Sequence, residues 1–425
     1  KTSLNHSMLT IAICGCGSRS RAYSTIATSM PDRYRVVAGA DPIAERVDAI
    51  REISKNEDFQ GFGSADELLS QPKLADLMVI GTQDNFHFEP AKRALELGYD
   101  LLLEKPAAQN IEEVIGLAEI AKKHGRKIVL CFVLRYTQFY KKVHALIQEG
   151  ALGDIVSLNA SEGVEPFHQA HSFVRGHWSK SAESTPMIIA KCSHDLDIIS
   201  WIINDHCKSV SSFGGIQHFS PANAPEGATK RCVDGCPHAE TCTYSTNRYF
   251  EDRDRWLEMV YPDPNNIEKE EATEWLKTAP WGKCVYHAGN DVVDHQVVNM
   301  EFENGVSASL TMTAFDSGRH LQLFGTKAAL RGGDTVKAEH GCDIVLRHHR
   351  TGEIEKVTLE PLDAAAGYEG HGGGDFGLMN ELDKIIAGEA DQSTLIENAI
   401  EGHLIGFKAE QSRLNGGKLI AVHGE

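Results

Sequence analysis

Three things are scarce in this chain, and each scarcity closes off a class of function. Long apolar runs are missing. None approaches the ~20 residues that cross a bilayer as a helix, so no membrane partner is expected. Positive charge is in deficit, with 42 Lys and Arg against 60 Asp and Glu. The resulting net charge of −18 argues against nucleic acid, which requires a basic face. Cysteine is modest, ten in 425 residues. The opening KTSLNHSM is polar and lacks the apolar stretch of an export leader. The expected location is therefore cytoplasmic, where cysteines read as thiols or metal ligands rather than disulfides. What is abundant is core-forming material: 41% hydrophobic residues over this length suffice for two packed cores.

The first 135 residues alternate strand-like and helix-like segments. MLTIAIC is an apolar run of strand length, followed by Gly15, Gly17 and a helix from Ser18. Glycines there let backbone approach a pyrophosphate, and the helix start offers unpaired N–H groups to it. The third glycine of GxGxxG is missing, with Ser20 in its place. A second strand, YRVVAGAD, ends in Asp41, at the distance expected of a ribose-binding acid. An acid there favours NAD over NADP. Further strands are expected at ADLMVIGT, YDLLLEKP and KIVLCFVLRY, with helices between them. This alternation implies a parallel sheet covered on both faces, with ligands beyond the carboxyl ends of the strands. Those ends carry Gly15, Gly17, Ser18, Arg19, Asp41, Thr82, Asp84, His87, Glu104, Lys105, Arg135 and Tyr136. We assign the first ten to the cofactor and the last two to substrate.

Several of these pieces together resemble the glucose–fructose oxidoreductase / inositol dehydrogenase / MocA family. They are GCGSRSR in the first turn, ADP at 41, GTQDNFH at 81–87, EKP at 104–106, and His194 followed three residues later by Asp197. The resemblance implies an α/β chain: a Rossmann dinucleotide-binding domain, then an α+β domain with a large, mostly antiparallel sheet. We place the first domain at 1–135 and the second, substrate-binding domain at 136–425. The resemblance also implies NAD(P), a sugar or polyol substrate, and a lysine–histidine pair, Lys105 and His194, that handles the hydroxyl proton. A partly buried lysine beside another cation can exchange a proton near neutral pH. Other branches of the family oxidise a glycoside at carbon 3, eliminate the aglycone, add water and re-reduce. That alternative needs additional acid/base groups.

The chain departs from the family pattern at AKCSHDLD, residues 190–197. An aspartate usually stands four residues before the histidine; here that position is Ala190, with Lys191 beside it. On a continuous helix Lys191, His194 and Asp195 share a face. We take Lys191 and Asp195 as further catalytic candidates and Asp197 as a substrate-side residue. The loop HQAHSFVRGHW offers His168, His171, Arg175 and Trp178 for sugar recognition. The glycine-rich GHGGGDF offers His371, with Asp375 as a plausible helix cap. Alternating segments over 294–349 suit an antiparallel sheet, whose open face would serve a homo-oligomer. Residues 218–290 form an insert. In it Cys232, Cys236, Cys242 and Cys284 make a plausible tetrahedral set for a structural zinc, and His238 is a substitute ligand.

Overall fold

The computed structural model describes residues 8–263, 266–360 and 370–424. The opening residues KTSLNHS lie outside the described residues. The chain divides into two compact units that do not follow a single cut in the sequence. One comprises Lys1–Asp154, Ser193–His206 and Val357–Phe407; the other comprises Ile155–Cys192, Cys207–Lys356 and Lys408–Glu425.

The first unit begins with the expected alternation. In order come β1 Leu9–Cys14, α1 Ser18–Thr28, β2 Tyr34–Ala40, α2 Ala44–Ser54, β3 Gln60–Phe62 and α3 Ala65–Leu69. Then follow β4 Leu77–Ile80, α4 Phe88–Glu96, β5 Asp100–Leu103, α5 Ile111–His124, β6 Ile128–Leu130 and α6 Gln138–Gln148. The strands form a six-stranded sheet in the order β3-β2-β1-β4-β5-β6, each pair parallel. The central strand β4 is apolar and buried along its whole length, as a sheet covered on both faces requires. KIVLCFVLRY is a strand only over its first part, because a 3₁₀ turn takes Val133–Tyr136.

The chain then enters the second unit with β7 Ile155–Val164, α7 Pro166–His168 and α8 Met187–Ala190. HQAHSFVRGHW is not a loop. α7 runs directly into a π-helix over Gln169–Arg175, a form that recurs at functional sites. α9 Ser193–Ile203 returns to the first unit. The second unit resumes with β8 Cys207–Gly215, α10 Asp254–Glu258, α11 Lys269–Leu276, β9 His295–Phe302 and β10 Ser307–Thr313. It continues through β11 Ser317–Gly325, β12 Ala328–Gly333, α12 Asp334–His340, β13 Ile344–His348 and β14 Ile354–Val357. The nine-stranded sheet runs β14-β13-β12-β11-β7-β10-β9-β8-β15, where β15 is Ile420–Ala421. It is mostly antiparallel; β7 and β10 pair in parallel.

Three helices close the chain: α13 Gly374–Ala387, α14 Ile396–Ala399 and α15 Glu401–Leu414. The spacing of TLIENAIEGHLIGFKAEQSRL (394–414) predicts one amphipathic helix, and the structure divides it into α14 and α15 at Ile400. α13 completes the first unit, placing Leu378, Met379, Leu382 and Ile385 in one apolar core with Tyr23, Ile26 and Tyr34. Tyr34 also donates to the Met379 carbonyl at 2.6 Å.

Candidate functional site

The turn after β1 depends on two glycines for different reasons. Gly15 has φ +85°, and a Cβ there would stand 2.7 Å from the Thr82 amide nitrogen. Gly17 precedes α1, and a Cβ there would meet nothing within 4 Å. No side chain caps α1, so its first amides face that open space. Asp41 closes β2; its carboxylate accepts from the backbone amides of Cys16 and Ile43, each at 2.9 Å. Thr82 and the buried Asp84 follow β4. His87 bridges two loops, with Nδ1 2.7 Å from the Pro106 carbonyl and Nε2 3.0 Å from the Thr82 carbonyl. Open space, uncapped amides and a fixed acid fit a dinucleotide's pyrophosphate and ribose.

Arg19, expected to face the cofactor, is held by four other side chains. Its Nε donates to Glu104 Oε1 at 2.8 Å, and its two terminal nitrogens donate to Asp375 at 2.9 and 2.6 Å. Tyr23 joins Arg19 and Glu104 through its hydroxyl. The fourth is His371, whose Nδ1 lies 3.3 Å from Arg19 Nη1 and 3.2 Å from Asp375 Oδ2. Burial alone would raise both carboxyls. The Arg19 charge and the Tyr23 hydrogen bond overcome this at Glu104; hydrogen bonds from Arg19 and His371 overcome it at Asp375. Both carboxyls are held below their ordinary range. Asp375 is therefore not a helix cap. Gly373, at φ +82°, takes that place, and Asp375 orients the His371 ring.

Lys105 follows Glu104, half-buried beyond the end of β5. Its charge reaches His403, a fully buried histidine whose Nε2 accepts from the Ala107 amide at 3.0 Å. Burial first, and Lys105 second, push His403 down to about 4, so its ring is neutral. The Phe132 ring lies 5.5 Å from His403 and 5.9 Å from His194, centroid to centroid. His194 opens α9 beside Asp195, and its ring lies 5.9 Å from that of His371. Lys105, His194, His371 and Asp375 thus belong to one unit and one neighbourhood. Arg135 and Asp197, expected to meet substrate, are both buried and bind each other through two hydrogen bonds of 2.8 and 2.5 Å. Tyr136 bonds Thr394 Oγ1 at 2.7 Å.

The other unit holds the remaining candidates. Lys191 does not share a helix face with His194 and Asp195, because α8 stops at Ala190 and α9 begins at Ser193. Its Nζ pairs with the buried Glu162 at 3.1 Å. His171 and Arg175 lie inside rather than on a binding surface. His171 bonds Tyr249 Oη at 2.7 Å, and burial together with the Arg175 charge lowers it to about 3. Arg175 donates to the carbonyls of Lys283 and Tyr244 at 2.6 and 2.7 Å. His168 packs on Trp256 at 4.5 Å, and Trp178 lies 5.9 Å from Phe173. Cys232, Cys236, Cys242 and Cys284 line one small cavity. The other six cysteines are buried singly as thiols.

Two family models cover nearly the whole chain: the NAD-binding Rossmann fold of the Gfo/Idh/MocA oxidoreductases over residues 9–132, and their C-terminal alpha/beta domain over 144–402. The chain belongs to the Gfo/Idh/MocA family. It is similar to the oxidoreductase YteT of Bacillus subtilis, at 22% identity over 86% of this chain and 87% of that protein. It is similar, at 24% over 37% of this chain and 41% of the relative, to a 2,7-anhydro-N-acetylneuraminate hydratase of Escherichia coli. Among solved structures it shares the fold of scyllo-inositol dehydrogenase from Lactobacillus casei, which holds NAD(H) and scyllo-inositol. That match has TM-score 0.66 and 16% identity over 98% of this chain and 99% of the other. The protein is thus an NAD(P)-dependent oxidoreductase with a Rossmann domain.

Two features of this Gfo/Idh/MocA member are invisible to sequence reasoning. His403 sits in GHLIGF, an apolar helical stretch, and reaches the EKP segment only through the fold. The Arg19–Asp375 pair joins residues 356 apart. A buried-charge argument flags each residue but names no partner.

Proposed function

We propose that this oxidoreductase removes a hydride and a proton from a secondary hydroxyl of a sugar, polyol or glycoside, with NAD as the acceptor. Bound nicotinamide supplies the hydride acceptor. Lys105 and His194 supply the place for the hydroxyl proton. The observation that carries this reading is Lys105 at the mouth of β5, with neutral His403 behind it and His194 sharing Phe132. Asp41 supports NAD over NADP, since a carboxylate at the ribose repels a 2′-phosphate. An NAD-binding relative of known structure that carries scyllo-inositol supports a polyhydroxylated substrate.

A second reading is favoured by one observation: a second imidazole, His371, lies beside His194 and is oriented by Asp375. Among the described residues its Nε2 has no partner, so Nε2 is the nitrogen placed to take a proton. Oxidation at sugar carbon 3 acidifies the neighbouring C–H. A base there drives loss of the aglycone, water adds, and re-reduction leaves no net redox change. The hydratase among the relatives is compatible with such elimination and addition steps.

Incubation with free sugars and stoichiometric NAD, and separately with an aryl glycoside and catalytic NAD, separates the two. Stoichiometric NADH supports the dehydrogenase, and aglycone release without net NADH supports the glycosidase. Neither signal across a broad substrate screen overturns both. We also propose that a second copy docks on the open face of the large sheet, where Phe213 of β8 is exposed and a depression of about 450 Å³ is lined by serines and asparagines together with Leu158, Met300 and Leu419. A monomer by light scattering would refute that contact.

A further inference from the structure

We propose that Cys232, Cys236, Cys242 and Cys284 hold a single thiophilic divalent cation of the zinc class as a closed structural site. Three observations converge on it.

The first is how the fold brings the four together. Arg231 and Lys283 form an isolated antiparallel bridge. Cys232 donates its amide to the Gly282 carbonyl at 3.0 Å, and Cys284 donates to Lys230 at 2.9 Å. In that register Cys232 and Cys284 are diagonal neighbours on one face of the ribbon. Diagonal Cβ atoms lie about 7 Å apart, too far for a disulfide, which needs roughly 3.8 Å. Two sulfurs so placed reach a common ion instead. Tight turns, Ala239 amide to Cys236 carbonyl and Cys242 amide to His238 carbonyl, fold the other two cysteines back on the same spot.

The second observation is size. The cavity the four line has a volume of about 20 Å³. That accommodates one ion or one water and no organic ligand. No three of the sulfurs lie mutually within 4.8 Å, so binding draws them inward by side-chain rotation. His238 also lines this cavity, but its Nε2 is engaged by the Glu226 carbonyl at 2.8 Å, which leaves the four sulfurs as the ligand set we propose.

The third is charge. Arg175 is buried, and among the described residues no carboxylate pairs with it. Its Nη1 is buried without a hydrogen-bond partner, and its Nη2 lies 3.4 Å from Cys232 Sγ. A buried guanidinium needs a compensating anion. Four thiolates around a dication carry a net charge of −2 and provide one, in the manner of an outer-shell partner at a metal centre. Because Arg175 ends the π-helix that carries His171, the ion would also brace that helix.

Elemental analysis of freshly purified full-length protein tests this. We expect one zinc per chain, falling below a tenth in Cys236→Ser and Cys284→Ser. Cobalt(II) replacement should give the visible absorption of a tetrahedral thiolate site. Should the variants fail to fold, the wild-type metal content still decides. Stripping with a chelator should raise hydrogen exchange in residues 218–290 and leave the six-stranded sheet unchanged. Metal-free protein from zinc-supplemented growth overturns the proposal, whether its four thiols alkylate freely or mass spectrometry shows disulfides.

Discussion

Arg19 and His403 carry much of the site's order, and neither touches the reacting hydroxyl in the proposed chemistry. Arg19 fixes Glu104, the residue before Lys105, and fixes Asp375, which orients His371. Asp375→Asn leaves a partly buried guanidinium short of one anion. We expect a loss of about 1–3 kcal/mol in urea unfolding, below the full cost of breaking a wholly buried pair. Lys105→Met should lower kcat by roughly 10²–10⁴-fold, the span of a lost proton-transfer group, with an unchanged circular dichroism spectrum. His371→Asn separates the two readings: under the elimination mechanism aglycone release falls while NADH formation from a free sugar persists. At this scale the family resemblance pointed to Lys105 and His194, and the glycine-rich GHGGGDF segment offered His371. Sequence could not show that Arg135 and Asp197 neutralise each other, because a charge's partner is a property of the fold.

Elements were legible where their period was long and their punctuation clear. Four of the six parallel strands, β1, β2, β4 and β5, stand where runs rich in apolar residues end in glycine or an acid, because strands covered on both faces favour apolar residues. β3, three residues long and largely exposed, carries no such signal and is not expected from the sequence. AKCSHDLD read as one helix because its spacing is helical, yet the backbone breaks between Ala190 and Ser193. The π-helix at Gln169–Arg175 was equally hidden, since its polar rings imitate a loop. The two glycines of the first turn make an element-level prediction. Gly15→Ala forces an L-residue to φ +85° and into backbone at 2.7 Å, and should lower the melting temperature and abolish NAD binding together. Gly17→Ala has open space around it. Its melting temperature should stay unchanged while calorimetry shows NAD binding weakened at least tenfold, because the methyl occupies the room left for pyrophosphate.

The whole molecule should respond to acid through two histidines held neutral by burial, His171 at about 3 and His403 at about 4. Both lie below 6.5, their ordinary value, so the unfolded chain binds more protons in between. Stability is therefore full above pH 6.5 and falls as the pH drops, by about 1.4 kcal/mol per unit for each histidine. Melting scans from pH 7.5 to 4.5 check this, and His403→Gln should remove roughly half the slope. The division into units was the least legible feature. A boundary near residue 135 follows from where the alternation stops, yet Ser193–His206 and Val357–Phe407 rejoin the first unit. That return has a consequence for biosynthesis. Roughly 200 residues separate Asp154 from Val357, which a ribosome takes about 10–40 s to add at roughly 5–20 residues per second. Throughout that interval Tyr23, Ile26 and Tyr34 lack the α13 side chains that cover them. A nascent chain stalled before Gly374 should accordingly be a chaperone client, and release should follow once α13 has left the exit tunnel.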